Sequence, residues 1–186
     1  MATITQEGQV SVAIKSVLTS TAAKVTYRHK NASVGDPFRK LEDLINFTRT
    51  FKLTNGAGKD QANEVWYDEK ILAATTADVT DLSGGITDAH GNSIVFTKVR
   101  GLLIYSDEDN PSTLRLRART ALQADGWLTW CAAAEDAVKI QPGGLLLLMA
   151  PNVTGYAVIA ATADKVDIYN DGASAAKYTI VVFGSV

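Results

Sequence analysis

The sequence predicts a mainly β protein, an antiparallel β-sandwich preceded by a short helical arm, and three features predict it. From Phe47 onward, short β-branched and aromatic segments alternate with turns rich in Gly, Asn, Asp and Pro, at spacings of about ten residues. No segment of helical period long enough to link parallel strands lies between them, so antiparallel pairing is expected rather than βαβ units. Before Phe47 the apolar residues recur instead at the spacing of one helix face. The division expected is an arm over residues 1–46 and a sandwich over 47–186.

In the arm, Val10, Ala13, Ile14, Val17 and Leu18 of "QVSVAIKSVLTS" form one helical stripe. Further on, "GDPFRKLEDLINF" offers Asp36 as an N-cap before Pro37, with Phe38, Leu41, Leu44 and Ile45 on one side. Helices this short are marginal in water. Val10, Ile14, Val17 and Leu18 are therefore candidate contacts with a partner.

In the sandwich, strands are expected in "FTRTFKL", "NEVWYDEKILA", "ADVTDL", "SIVFTKVRGLLIYS", "TLRLRAR", "AVKI", "GLLLLMA", "YAVIAA", "KVDIYN" and "KYTIVVFG". The stretches between them, "TNGAGKD", "SGGITDAHGN", "DEDNPS", "QPGG", "APNVTG" and "NDGASA", read as turns. The last two strands, joined by an Asp-Gly turn, read as a C-terminal hairpin with Ile180 in the core.

The stretch "KIQPGGLLLLMAPNVTG" admits three readings: a membrane anchor, a phosphate-cradling loop, or a buried strand. The apolar run from Leu145 to Ala150 is far short of the ~18 residues that span a bilayer. A phosphate loop would open a helix, whereas Pro151 ends this segment at once. A strand remains. It is apolar on both faces, as in a strand covered by two layers or by a neighbouring subunit.

A net charge of −2 and a pI near 5.7 give no electrostatic motive for wrapping nucleic acid. One cysteine, Cys131, excludes an internal disulfide and any Cys-His metal spacing, and reads as a small buried hydrophobe. The start "MATITQEGQV" has no signal-peptide pattern, so synthesis and folding in a cytosol are expected, without a membrane partner. No cofactor is expected.

Candidate chemistry is thin. "NGAGKD" fails the Walker pattern because Asp60 follows Lys59. "SDEDNP" lacks the glycine and glutamate of an EF-hand. His90, near Asp88, lacks a nucleophile elbow to serve, and His29 reads as a surface residue. "TLRLRAR" is the most informative polar segment: alternation places Arg115, Arg117 and Arg119 on one face. Three guanidiniums in a row need carboxylates from a facing strand, an acidic partner surface, or water. No set of nucleophile, base and oxyanion donor is legible, so a non-enzyme is expected.

From Phe51 to the C-terminus the chain resembles a family of tailed-bacteriophage and prophage virion proteins. The resemblance rests on "NGAGKDQA", on "LAATTADVTDLSGGITDAHGN", on the "PGG" turn before an apolar strand, and on the ending "NDGASAAKYTIVVFG". It implies a jelly-roll-like sandwich similar to capsid decoration (cement) domains, a homotrimer, a major capsid protein as partner, and a place on the capsid exterior after synthesis in the host cytoplasm. A tail or fibre-base component carries the same motifs. The rival reading is a carbohydrate-binding module in which Trp66, Tyr67, Trp127 and Trp130 stack on sugars.

Overall fold

A computed structural model describes residues 8–15, 46–118, 124–133 and 135–186. The chain divides at Phe51 into a smaller unit, Gln9–Phe51, and a larger one that takes in Lys52–Val186. Strands β1 (Gly8–Lys15) and β2 (Asn46–Leu53) form a two-stranded sheet. This corrects the helix expected from Gln9. Val10, Val12 and Ile14 also alternate with period two, and β-branched residues at that spacing favour a strand over a helix. Val10 and Ile14 thus lie on β1. Val17, Leu18 and the expected helix from Asp36 to Ile45 lie outside the described residues.

The larger unit is built from two antiparallel sheets. The first contains β3 (Glu64–Leu72), β7 (Lys98–Ser106), β10 (Leu145–Met149) and β13 (Ala176–Ser185) in the order β10-β7-β13-β3. The short β11 (Tyr156–Ala157) also pairs with β7. The second sheet contains β4 (Ala77–Asp81), β8 (Leu114–Arg117), β9 (Ala137–Ile140) and β12 (Lys165–Asn170) in the order β4-β12-β8-β9. A hairpin of β5 (Ser83–Thr87) and β6 (Ser93–Val95) stands between β4 and β7 in the chain. Both sheets give alternate residues to one core. Trp66, Leu102, Ile104, Tyr178, Ile180 and Val182 come from the first sheet, and Leu114, Leu116, Ile140, Val166 and Ile168 from the second.

Most connections between the two sheets' strands cross from one sheet to the other, whereas β8–β9 and β10–β11 each stay within one. The expected C-terminal hairpin is therefore corrected: β12 pairs with β4 and β8, whereas β13 pairs with β3 and β7. Each strand has an apolar inner face, and each face is buried fully only when the two lie in opposite sheets. The crossing is held by the buried Asn170, whose amide donates to the carbonyls of Leu72 (3.2 Å), Ala73 (3.0 Å) and Ser174 (2.8 Å).

Three other expectations change. "SIVFTKVRGLLIYS" is two strands, β6 and β7, with the buried Phe96 between them. Phe96 lies against Gly184, where an added Cβ would stand 2.5 Å from its ring, so the bare backbone there makes room for it. "SGGIT", expected as turn, is β5. Ile86 is buried and pairs with Ile94, so packing overrides the low strand propensity of glycine. "GLLLLMA" is not a fully buried strand, because β10 lies at the edge of its sheet and none of its residues is buried.

Candidate interaction face

On the first sheet, the residues that alternate with the core residues form an outer face that is apolar across four strands. The registers place Leu147, Leu103, Val181 and Tyr67 in one row across β10, β7, β13 and β3. The next row is Met149, Gly101, Phe183 and Val65, and the row on the other side is Leu145, Tyr105, Thr179 and Glu69. Gly101 leaves room in its row for the side chains on either side. A Cβ there would meet Met149 Sδ at 2.7 Å and Phe183 Cδ2 at 3.3 Å, so its absence lets those two side chains close over β7.

Such a face is ordinarily polar when an antiparallel sheet fronts water. Here Leu145 and Tyr67 are 58% and 57% exposed, and Ile71, beside Lys177, is 76% exposed. Leu103, Val181, Phe183 and Met149 are half-buried. Contiguous apolar surface of this extent marks an interaction site more often than free surface.

A polar cluster joins the two sheets where β3 and β4 lie. Lys70 Nζ lies 2.8 Å from Asp78 Oδ2 and 3.1 Å from Thr80 Oγ1, and Tyr178 Oη donates to the same Asp78 oxygen. Burial and the Asp78 carboxylate push the Tyr178 phenol well above its ordinary value, so it stays protonated. Arg100 is buried and directs its guanidinium to the carbonyls of Ala57 (2.7 Å) and Asn152, fastening two loops.

The arginines singled out in "TLRLRAR" find carboxylates on the neighbouring strand and its turn. Arg117 Nη2 donates to both carboxylate oxygens of Asp167, at 2.9 and 2.8 Å, and the guanidinium covers the Tyr169 ring at 4.3 Å. Arg115 pairs with Asp171. Asp167 is 1% exposed, and burial raises its pKa despite the guanidinium beside it. Arg119 lies outside the described residues.

The aromatic candidates do not form one exposed platform. Trp127 is fully buried and donates to Ala157 O at 2.9 Å, and Trp66 is buried in the core. Trp130 is half-buried and donates to Trp127 O, which leaves Tyr67 as the exposed member. At the hairpin tip the Asp88 carboxylate accepts from the backbone amides of His90 and Asn92 at 2.8 Å, a turn-forming role. His29 lies outside the described residues. Cys131 is half-buried rather than buried, with its thiol donating to Leu128 O at 3.1 Å, and burial raises its pKa. Among the described residues no group of three or more His, Cys, Asp or Glu side chains is placed to hold a metal, and no helix is long and apolar enough to cross a membrane.

The outer face of the first sheet escaped the sequence reading apart from its Leu145–Met149 strand. A signal was present, because "GLLIYS" and "YTIVVFG" are apolar at both parities, like "GLLLLMA". Compared with known proteins, the chain matches no family model, no curated protein and no solved structure.

Proposed function

We propose that the protein is a non-enzymatic structural component of a tailed-phage particle, a jelly-roll domain that coats the head exterior as a decoration protein and docks on the major capsid protein. The observation that carries this reading is the apolar outer face of the β10-β7-β13-β3 sheet, which gives the domain a broad surface to bury against another protein. Support for the jelly roll is the pair of strand orders, β10-β7-β13-β3 facing β4-β12-β8-β9, in which the chain alternates between sheets as two nested Greek keys do. Such double sheets serve in viral capsid and lectin domains. The resemblance of the turns after Phe51 to virion proteins favours the former.

The test is co-sedimentation of the purified protein with heads of the parent phage that lack it. The parent protein is expected in the head pellet, with Leu103→Lys and Val181→Lys left in the supernatant while melting like the parent. Equal pelleting of both variants would remove the outer face from the docking surface. Recovery on tail tubes or baseplates but not heads would move the protein to the tail, and specific retention on an immobilised glycan would favour the carbohydrate-binding reading.

A further inference from the structure

The edge strand β10 carries a second kind of unsatisfied surface. Its even-numbered residues bond to β7, as Gly144 O accepting from Ser106 N (2.9 Å) and Ala150 N donating to Arg100 O (2.8 Å) establish. In an antiparallel ladder the alternate residues then point their N–H and C=O groups the other way. Those of Leu145, Leu147 and Met149 therefore face the open edge, and among the described residues no strand pairs there. Edges of this kind are usually blunted by a charge, a proline or a bulge. Leu145–Met149 carries none of them.

We propose that two copies of this chain join through β10, antiparallel about a two-fold axis at Leu147, so that the two first sheets become one continuous sheet. Three observations select a second copy. The first is parity: pairing about Leu147 sets Leu147 opposite itself and Leu145 opposite the second copy's Met149, and these are the residues whose backbone groups face outward.

The second is charge. The N-terminal end of β10 lies beside an acidic loop, with Gly143 N donating to Asp107 O at 3.1 Å and with Glu108 and Asp109 exposed. Its C-terminal end lies beside more cations than carboxylates: Lys98 Nζ donates to Val153 O at 3.3 Å, the buried Arg100 donates to Asn152 O, and the exposed pair Lys59 and Asp60 adjoins Pro151, whose carbonyl accepts from Asp60 N at 2.7 Å. Antiparallel pairing sets Gly143 opposite the second copy's Pro151, so the acidic loop of residues 107–109 meets the end where Lys98 and Lys59 outnumber Asp60, twice. The third is continuity of the outer face. The row Tyr67–Val181–Leu103–Leu147 meets its own image at Leu147, doubling the apolar surface without a charge at the seam. The three-fold association implied by the virion-protein resemblance pairs unlike surfaces and does not use this self-complementarity. The pairing stands whatever surface the dimer then binds.

Light scattering of the full chain is expected to give twice the 19.8 kDa chain mass. Leu147→Pro removes an N–H that points away from β7, so this variant is expected to melt like the parent and to run as a monomer. A cysteine scan in a Cys131→Ser background tests the register without depending on the proline variant. Leu147→Cys faces its own copy at about 5.5 Å between Cα atoms, within disulfide range. Leu145→Cys lies about 13 Å along the strand from its counterpart. Oxidation is expected to give a covalent dimer from Leu147→Cys, none from Leu145→Cys alone, and one from a mixture of Leu145→Cys with Met149→Cys. A parent that is monomeric or three-fold in mass, a folded Leu147→Pro that stays dimeric, or equal cross-linking of Leu145→Cys and Leu147→Cys would overturn the proposal.

Discussion

Tyr178 on β13 and Asp78 on β4 are hydrogen-bonded across the two facing sheets, and Lys70 on β3 reaches the same carboxylate oxygen at 2.8 Å. The contact ties the sheets together on the side where their edge strands β3 and β4 lie, so that a polar cluster closes what would otherwise be an open flank of the core. Tyr178 is 1% exposed, so its hydroxyl has no water to fall back on.

Tyr178→Phe is expected to lower unfolding free energy by about 1–3 kcal/mol, because it removes the donor and leaves Lys70 as the side-chain partner of the Asp78 oxygen. The phenol also sets an alkaline limit. Its folded pKa is raised above the ordinary 10.0, so the folded state binds the proton more tightly. The stabilisation is complete below pH 10 and declines as pH rises above it. Urea titrations at stepped alkaline pH are expected to show this decline in the parent and its attenuation in Tyr178→Phe, with the parent's slowest tyrosine ionisation coinciding with unfolding.

Ile180 sits at the centre of β13, between Ile104 of β7 and Asp68 of β3, with no exposed surface. Ile180→Asp would place a carboxylate there at a cost of several kcal/mol, comparable to the stability of a whole domain. Insoluble or unfolded protein is expected. Ser174→Asp, in the exposed crossing loop, should melt within a degree or two of the parent by circular dichroism.

Arg117 and Arg115 differ in what they leave behind when removed. Arg117→Ala strands the buried Asp167, and a loss of about 2–4 kcal/mol is expected. Arg115→Ala breaks a pair whose two side chains are 37% and 21% exposed, and should cost no more than about 1 kcal/mol. Chemical denaturation of both variants measures the contrast, and equal losses would mean that Asp167 finds another partner.

Removing residues 1–51 is expected to leave a soluble domain with one cooperative melting transition, since the core of the larger unit draws on residues from Trp66 onward and its boundary falls at Lys52. Calorimetry of the shortened chain tests this. Loss of the transition would make the segment before Lys52 part of the same folding unit.

Most strand positions after Phe47 were legible in the sequence, though not β5 or the break between β6 and β7, because period-two alternation and turn residues act locally: Leu114 and Leu116 alternate with Arg115 and Arg117, and Pro142 with Gly143 turns the chain into β10. Sequence also showed that Leu145–Met149 is apolar at both parities. Which strands pair was not legible, because partners such as Ile180 and Ile104 are far apart in the chain and their choice depends on how much apolar area the whole arrangement buries. Hence β12 and β13 read as a hairpin yet part into opposite sheets. For the same reason the strand β1 read as a helix, since Val10 and Ile14 satisfy both periods and only pairing with β2 separates them. The outer face arises at this level too: Leu147, Leu103, Val181 and Tyr67 come from four distant segments and become one row only when tertiary pairing sets their registers.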